Sequence, residues 1–93
     1  MNKAVLIKRI ATDVGITKND ASAAVESMIE CMGEALQGNE RVTLTGFGTW
    51  AVSRRQERVG RNPQTGEAIR IKAKNSVRFK PGKRLESRLN HLG

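Results

Sequence analysis

The sequence predicts an α+β fold: an N-terminal helical hairpin, a three-stranded antiparallel sheet carrying a long protruding β-ribbon arm, and a short C-terminal helix. Three observations carry that prediction. Apolar residues recur at helical spacing through Leu36, and from Arg41 onward they alternate with a period of two. The alternation turns wholly polar over Ser53 to Arg58 and resumes at Ala68, which describes two strands leaving a core and returning to it. The charge is split between the halves, net −2 over residues 1–40 and +10 over residues 41–93, within a total of +8. At 93 residues the chain reads as one domain, with a helical half at 1–39 and a sheet half at 40–93.

Each element has its own local signal. Asn2 caps a first helix whose stripe is Leu6, Ile10 and Val14, flanked by Ile7 and Ala11. Gly15 stands where a left-handed residue ends it. Thr17 caps the second helix, with Asp20 at the capping-box position. The second stripe is Ala21, Ala24, Val25, Met28, Ile29, Met32, Ala35 and Leu36, and Gly38-Asn39 stops it. Val42 and Leu44 alternate with Thr43 and Thr45 as a half-buried strand, and Gly46-Phe47-Gly48 turns the chain into a second strand through Trp50 and Val52. The ribbon arm spans about residues 53–75. Its tip is Asn62 to Gly66, where Pro63 presets φ and Gly66 accommodates a positive φ. Ala68 to Lys74 alternates cleanly on the way back, and Val77 and Phe79 rejoin the core. Pro81-Gly82 breaks the strand, and Lys83 to Leu92 reads as a helix with Leu85, Leu89 and Leu92 on one side.

Composition removes several function classes. A single cysteine, Cys31, forms no intrachain disulfide, and one His with one Cys builds no four-ligand zinc site. The longest strictly apolar run, Ala4 to Ile7, is far short of the roughly 20 residues that span a bilayer, and no apolar signal core follows Lys3. The expectation is a reducing cytoplasm and no membrane partner. No phosphate-binding loop, dinucleotide fingerprint or nucleophile elbow is present, so no enzyme activity, cofactor, metal or small-molecule substrate is expected. With two Phe, one Trp and no Tyr, the chain has few large side chains to fill a core. A second subunit would add buried area. Cys31 and the methionines read as core or interface packing, and His91 as a surface residue.

The basic residues of the second half carry the functional signal. Arg70, Lys72 and Lys74 share one parity and Ile69 and Ile71 the other. The first set is either a row of phosphate contacts or an edge strand blunted against aggregation. Arg54, Arg55, Arg58 and Arg61 enrich the outgoing strand, where arginine favours forked hydrogen bonds to phosphate or base edges. The alternative is a solubilising arm, and parity separates Arg55 from Arg58 unless twist or a bulge intervenes. Pro63 is either a turn-former or a wedge that slips between base pairs, its cost of about a few kcal/mol of unstacking offset by the surface a bent duplex wraps. Lys80, Lys83, Arg84 and Arg88 form a basic platform or a solvated helix face. Lys3 opposes the dipole of the first helix, which a neighbouring phosphate would explain.

At Gly46-Phe47-Gly48, at Gly60-Arg61-Asn62-Pro63-Gln64-Thr65-Gly66-Glu67 and at Phe79-Lys80-Pro81-Gly82-Lys83, the chain resembles the HU/IHF family of bacterial DNA-bending proteins. The resemblance covers essentially the whole chain. It implies an intertwined dimer, a homodimer or a heterodimer with a paralogue, whose arms embrace double-stranded DNA in the minor groove. It also implies that the proline at each tip intercalates. By position, Arg55, Arg58, Arg61, Asn62 and Pro63 match arm residues that touch DNA; Lys3, Gly46, Lys80 and Lys83 match body contacts; Phe47, Trp50 and Phe79 match the aromatic cluster of the dimer core. Family members commonly carry arginine where this chain has Ser53, and proline where it has Lys72 and Val77. Arg54 and Lys74 supply positive charge in exchange. The resemblance implies a nucleoid-associated, largely sequence-independent architectural protein. The alternatives are a site-specific, integration-host-factor-like protein and a structural RNA-binding protein. Against the last, the three aromatic residues fall at core-like positions rather than on a binding face.

Overall fold

A computed structural model describes residues 1–91 of the chain; Leu92, assigned above to the last helix, lies outside them. The element order is α1 (Lys3–Val14), α2 (Lys18–Gln37), β1 (Val42–Leu44), β2 (Gly48–Arg55), β3 (Arg58–Arg61), β4 (Ala68–Ile71), β5 (Lys74–Pro81) and α3 (Lys83–Asn90). This is the α+β order that the change of hydrophobic period requires. The residues group into two compact units, Met1–Ala35 and the chain from Leu36 onward.

In the first unit the helix ends follow their local chemistry. The Asn2 side chain accepts the Val5 N–H at 2.9 Å, and Gly15, at φ 79°, donates to the Ala11 carbonyl. Thr17 Oγ1 accepts the Asp20 N–H at 3.1 Å. Ala11, Ala21 and Val25 are buried, and an ion pair joins Lys3 near the start of α1 to Glu26 on α2. The rest of the predicted stripe is less covered. Val14 is exposed because α1 ends there and Gly15 turns the chain away. Ala24 and Cys31 are exposed, and Met28 and Ile29 are 45% and 47% exposed. Packing of these residues inside their own chain is therefore not what the helix provides.

In the second unit, Asn39 at φ 60° closes α2, and three strands form an antiparallel sheet in the order β1-β2-β5. Strands β3 and β4 form a separate two-stranded ribbon. Trp50 faces Phe79, and their ring centroids lie 4.7 Å apart; Phe47 lies 6.0 Å from Trp50 and 5.8 Å from Phe79. Gly48 is required under this cluster, since a Cβ there would lie 2.5 Å from the Phe79 ring and 2.8 Å from the Lys80 carbonyl oxygen. The aromatic cluster forms, but Phe47 and Phe79 remain 47% and 41% exposed. Val77 on the same face is exposed as well, so Val77 and Phe79 join a cluster that the chain alone leaves uncovered. Among the described residues no large side chain is fully buried.

Candidate nucleic-acid interface

The arm is built on a single register. Gly48 pairs with Pro81 and Arg55 with Lys74 in the first ladder; Arg58 pairs with Ile71 and Arg61 with Ala68 in the second. Three steps on one strand match three on the other, so no residue is inserted between the ladders. The bulge that would have reunited Arg55 and Arg58 is absent: they keep opposite parity, with Arg55 opposite Lys74 and Arg58 opposite Ile71. The alternation is nevertheless interrupted. Lys72 and Ala73 leave the strand, opposite Gln56 and Glu57. There the Arg55 guanidinium donates to the Lys72 carbonyl at 3.0 Å, a side-chain bond where a ladder bond would stand. The expected clean run from Ala68 to Lys74 is corrected accordingly.

In a pleated ladder, directly opposed residues share a face. On one face of β2 and β5 lie Trp50 with Phe79, Val52 with Val77, and Arg54 with Asn75. On the other lie Thr49 with Lys80, Ala51 with Arg78, Ser53 with Ser76, and Arg55 with Lys74. The sheet thus has an apolar side and a basic side. The Arg55–Lys74 pair sets two cations directly opposite each other, an arrangement that destabilises a strand pair unless an anion intervenes. Residues 53–75 carry Arg54, Arg55, Arg58, Arg61, Arg70, Lys72 and Lys74 against Glu57 and Glu67. All seven cations are exposed.

The tip is held by bonds within its own loop. The Asn62 N–H donates to the Glu67 carbonyl at 2.8 Å, and the Gly66 N–H to the Asn62 carbonyl at 2.7 Å. Asn62 Oδ1 accepts the Gln64 N–H at 2.9 Å, closing an Asx turn around Pro63. Arg61 donates to the Gly66 carbonyl at 3.2 Å, and Gly66 takes φ 74°. Pro63 stands exposed in the turn at the apex. A proline in this setting is both the turn-former and a presented apolar edge.

The remaining predicted residues fall in three places. Gly46, at φ 85°, turns β1 into β2 beside the Arg84 side chain. Lys80 and Lys83 flank the Pro81-Gly82 break at the start of α3, where Gly82 offers no side-chain cap to the first-turn amides. Lys3 lies in the other unit, and its pairing with Glu26 already gives the charge at the helix start a partner. Two features escaped the sequence reading. Glu57 forms an ion pair with Arg70 at 2.5 Å, a diagonal contact across the interrupted ladder that no helical spacing rule would flag. Arg78 lies on the basic face, and its parity with Arg70, Lys72, Lys74 and Lys80 was the available signal. Among the described residues no helix is long and apolar enough to cross a membrane, and no His/Cys/Asp/Glu group could hold a metal ion.

A family model described as "Bacterial DNA-binding protein" matches residues 1–90. DNA-binding protein HU of Xylella fastidiosa is 46% identical over 86 residues, covering 92% of each chain. Integration host factor subunit beta of Pseudomonas aeruginosa is 43% identical over 91 residues, covering 97% of each. Among solved structures, an Anabaena HU cocrystallised with DNA aligns with a TM-score of 0.85 at 35% identity, covering 96% of this chain and 97% of that one.

Proposed function

This chain belongs to the bacterial DNA-binding protein family, and from that premise we propose that it bends duplex DNA as an architectural protein, with little dependence on sequence. The arm follows the minor groove, its cations neutralise phosphates, and Pro63 enters between base pairs at the tip. Phosphate neutralisation supplies the affinity, and the deformability of the duplex supplies any preference for bent or nicked sites. The observation that carries this reading is the arm itself: a register-locked, cationic ribbon ending in a locally closed loop with an exposed proline.

The contacts we assign are Arg54, Arg55, Arg58, Arg61, Asn62, Pro63, Arg70, Lys72 and Lys74 on the arm, and Lys3, Gly46, Lys80 and Lys83 on the body. The working state is a dimer. Met28 and Ile29 on α2, and Phe47, Val77 and Phe79 on the sheet, are apolar surface that a lone chain leaves in water. Covering them with a second copy would supply the core that the single chain lacks. A duplex-binding protein of this kind works on the bacterial nucleoid, in the cytoplasm. Competition between one favoured sequence and random DNA separates this reading from a site-specific one.

The direct test is Pro63→Ala with a duplex labelled at both ends for fluorescence transfer. The kink should be lost while affinity falls less, because the phosphate contacts remain. An unchanged bend would remove Pro63 from the mechanism.

A further inference from the structure

The arm is two ladders in series, and a joint separates them. Gln56-Glu57 on the outgoing strand and Lys72-Ala73 on the returning one belong to neither ladder. Two side-chain contacts cross that joint, and they share one diagonal. The Arg55 guanidinium donates through Nη2 to the Lys72 carbonyl, and Glu57 pairs with Arg70. By the register, Lys72 stands opposite Glu57 and Arg70 opposite Val59. Each contact therefore runs from an outgoing residue to a returning residue two places nearer the tip. All four residues share one parity and so one face of the ribbon. The two contacts differ in what they hold. Glu57 and Arg70 join two side-chain ends, both at least half exposed. Arg55 holds a main-chain oxygen, and so holds the backbone itself.

We propose that Arg55 is a positioning residue for Pro63: its bond to the Lys72 carbonyl sets the direction in which the distal ribbon leaves the sheet. The inference rests on the DNA-bending reading. It adds a second task to the phosphate contact assigned to Arg55, done by a different part of the same guanidinium. A joint outside both ladders resists shear poorly, and a diagonal brace is what opposes shear. Distance makes the brace matter. Pro63 lies six residues beyond Glu57, about 20 Å along a strand. A tilt of about 10° at the joint would carry the proline about 3.5 Å sideways, roughly one base-pair step. Arginine suits both tasks. Its N–H donors form a fixed fork, and among the described residues only Nη2 has an acceptor. Lys74, directly opposite, is a like charge, so leaning toward the tip and the Lys72 carbonyl also relieves repulsion.

The test compares the full-chain wild type with Arg55→Met and Lys74→Met on a duplex labelled at both ends for fluorescence transfer. Arg55→Met removes a charge and the donor to Lys72. Lys74→Met removes a charge from the same place and leaves the donor. Both should lose affinity, and both should flatten the log K against log salt slope by about 0.9 per arm. At saturating protein only Arg55→Met should lose the kink, its transfer falling most of the way to the Pro63→Ala value. In the free protein the same variant alone should speed amide exchange across β3 and β4 roughly two- to tenfold. A kink kept by Arg55→Met would overturn the brace. A kink lost equally in both variants would also overturn it, since charge rather than the carbonyl would then set the bend. A wild type that leaves the duplex straight would overturn the DNA-bending reading instead. The free protein would then decide the brace: faster exchange in Arg55→Met alone upholds it, and equal rates in all three proteins overturn it.

Discussion

Replacing Glu57 with glutamine should tighten DNA binding. In the free protein, Arg70 is held 2.5 Å from the Glu57 carboxylate in the interrupted part of the arm. A phosphate that takes Arg70 must first displace that carboxylate. Both side chains are at least half exposed, so the pair belongs with surface ion pairs worth about 0.2–1 kcal/mol. Removing the competitor should therefore raise affinity by about 1.4- to 5-fold per arm at low salt. It should also steepen the log K against log salt slope slightly, because in the wild type the competing ion pair is itself weakened by salt. The two binding curves should converge at high salt, where screening already weakens the pair. Fluorescence anisotropy of a labelled duplex across a salt series reads both quantities. Thermal unfolding provides the control, since loss of the pair should leave stability unchanged or lower it slightly while affinity rises. Equal or weaker binding with an unchanged slope would refute the idea that Glu57 holds Arg70 in reserve.

Three further outcomes follow from the geometry. Gly48→Ala places a Cβ 2.5 Å from the Phe79 ring and 2.8 Å from a main-chain oxygen, and should cost about 1–3 kcal/mol in urea unfolding; an unchanged midpoint would mean the aromatic cluster tolerates repacking. Met28→Glu adds a charge to the exposed apolar face of α2 and should abolish self-association in sedimentation, whereas a dimer that persists would place the interface elsewhere. Gly66→Ala meets open space but must hold φ 74°, so about 1 kcal/mol of backbone strain should speed amide exchange at Asn62 and Gly66 without altering the melting of the sheet. Unchanged protection at both amides would show that the tip does not depend on that conformation.

What the sequence made legible was what short-range chemistry decides. Asn2, Gly15, Thr17 and Gly66 each act within a few residues, and each performs the predicted cap or turn. The period change at Arg41 located the sheet, because alternation and helical spacing do not mimic each other over several residues. Long-range choices were hidden. Whether Lys72 stays in a ladder depends on Arg55 reaching its carbonyl from the other strand, and no local pattern at Lys72 encodes that reach. The partner that Lys3 has in the free chain, Glu26, stands 23 positions away, and no local pattern at Lys3 announces it. Phe79 and Val77 read as core by hydrophobicity alone, yet burial depends on what covers a face, and a single chain does not contain that cover.

The unbroken numbering of partners along the two limbs makes the finger a ruler with fixed graduations. Deleting one residue from each limb would draw the apex in by about 3.4 Å and present it from the reverse side, since strand side chains alternate. Deleting two from each would restore the original aspect and shorten the reach by about 6.8 Å. Length and aim therefore change together in discrete steps, so variation in how far such a finger extends is confined to even increments whenever the pyrrolidine must arrive in the same orientation.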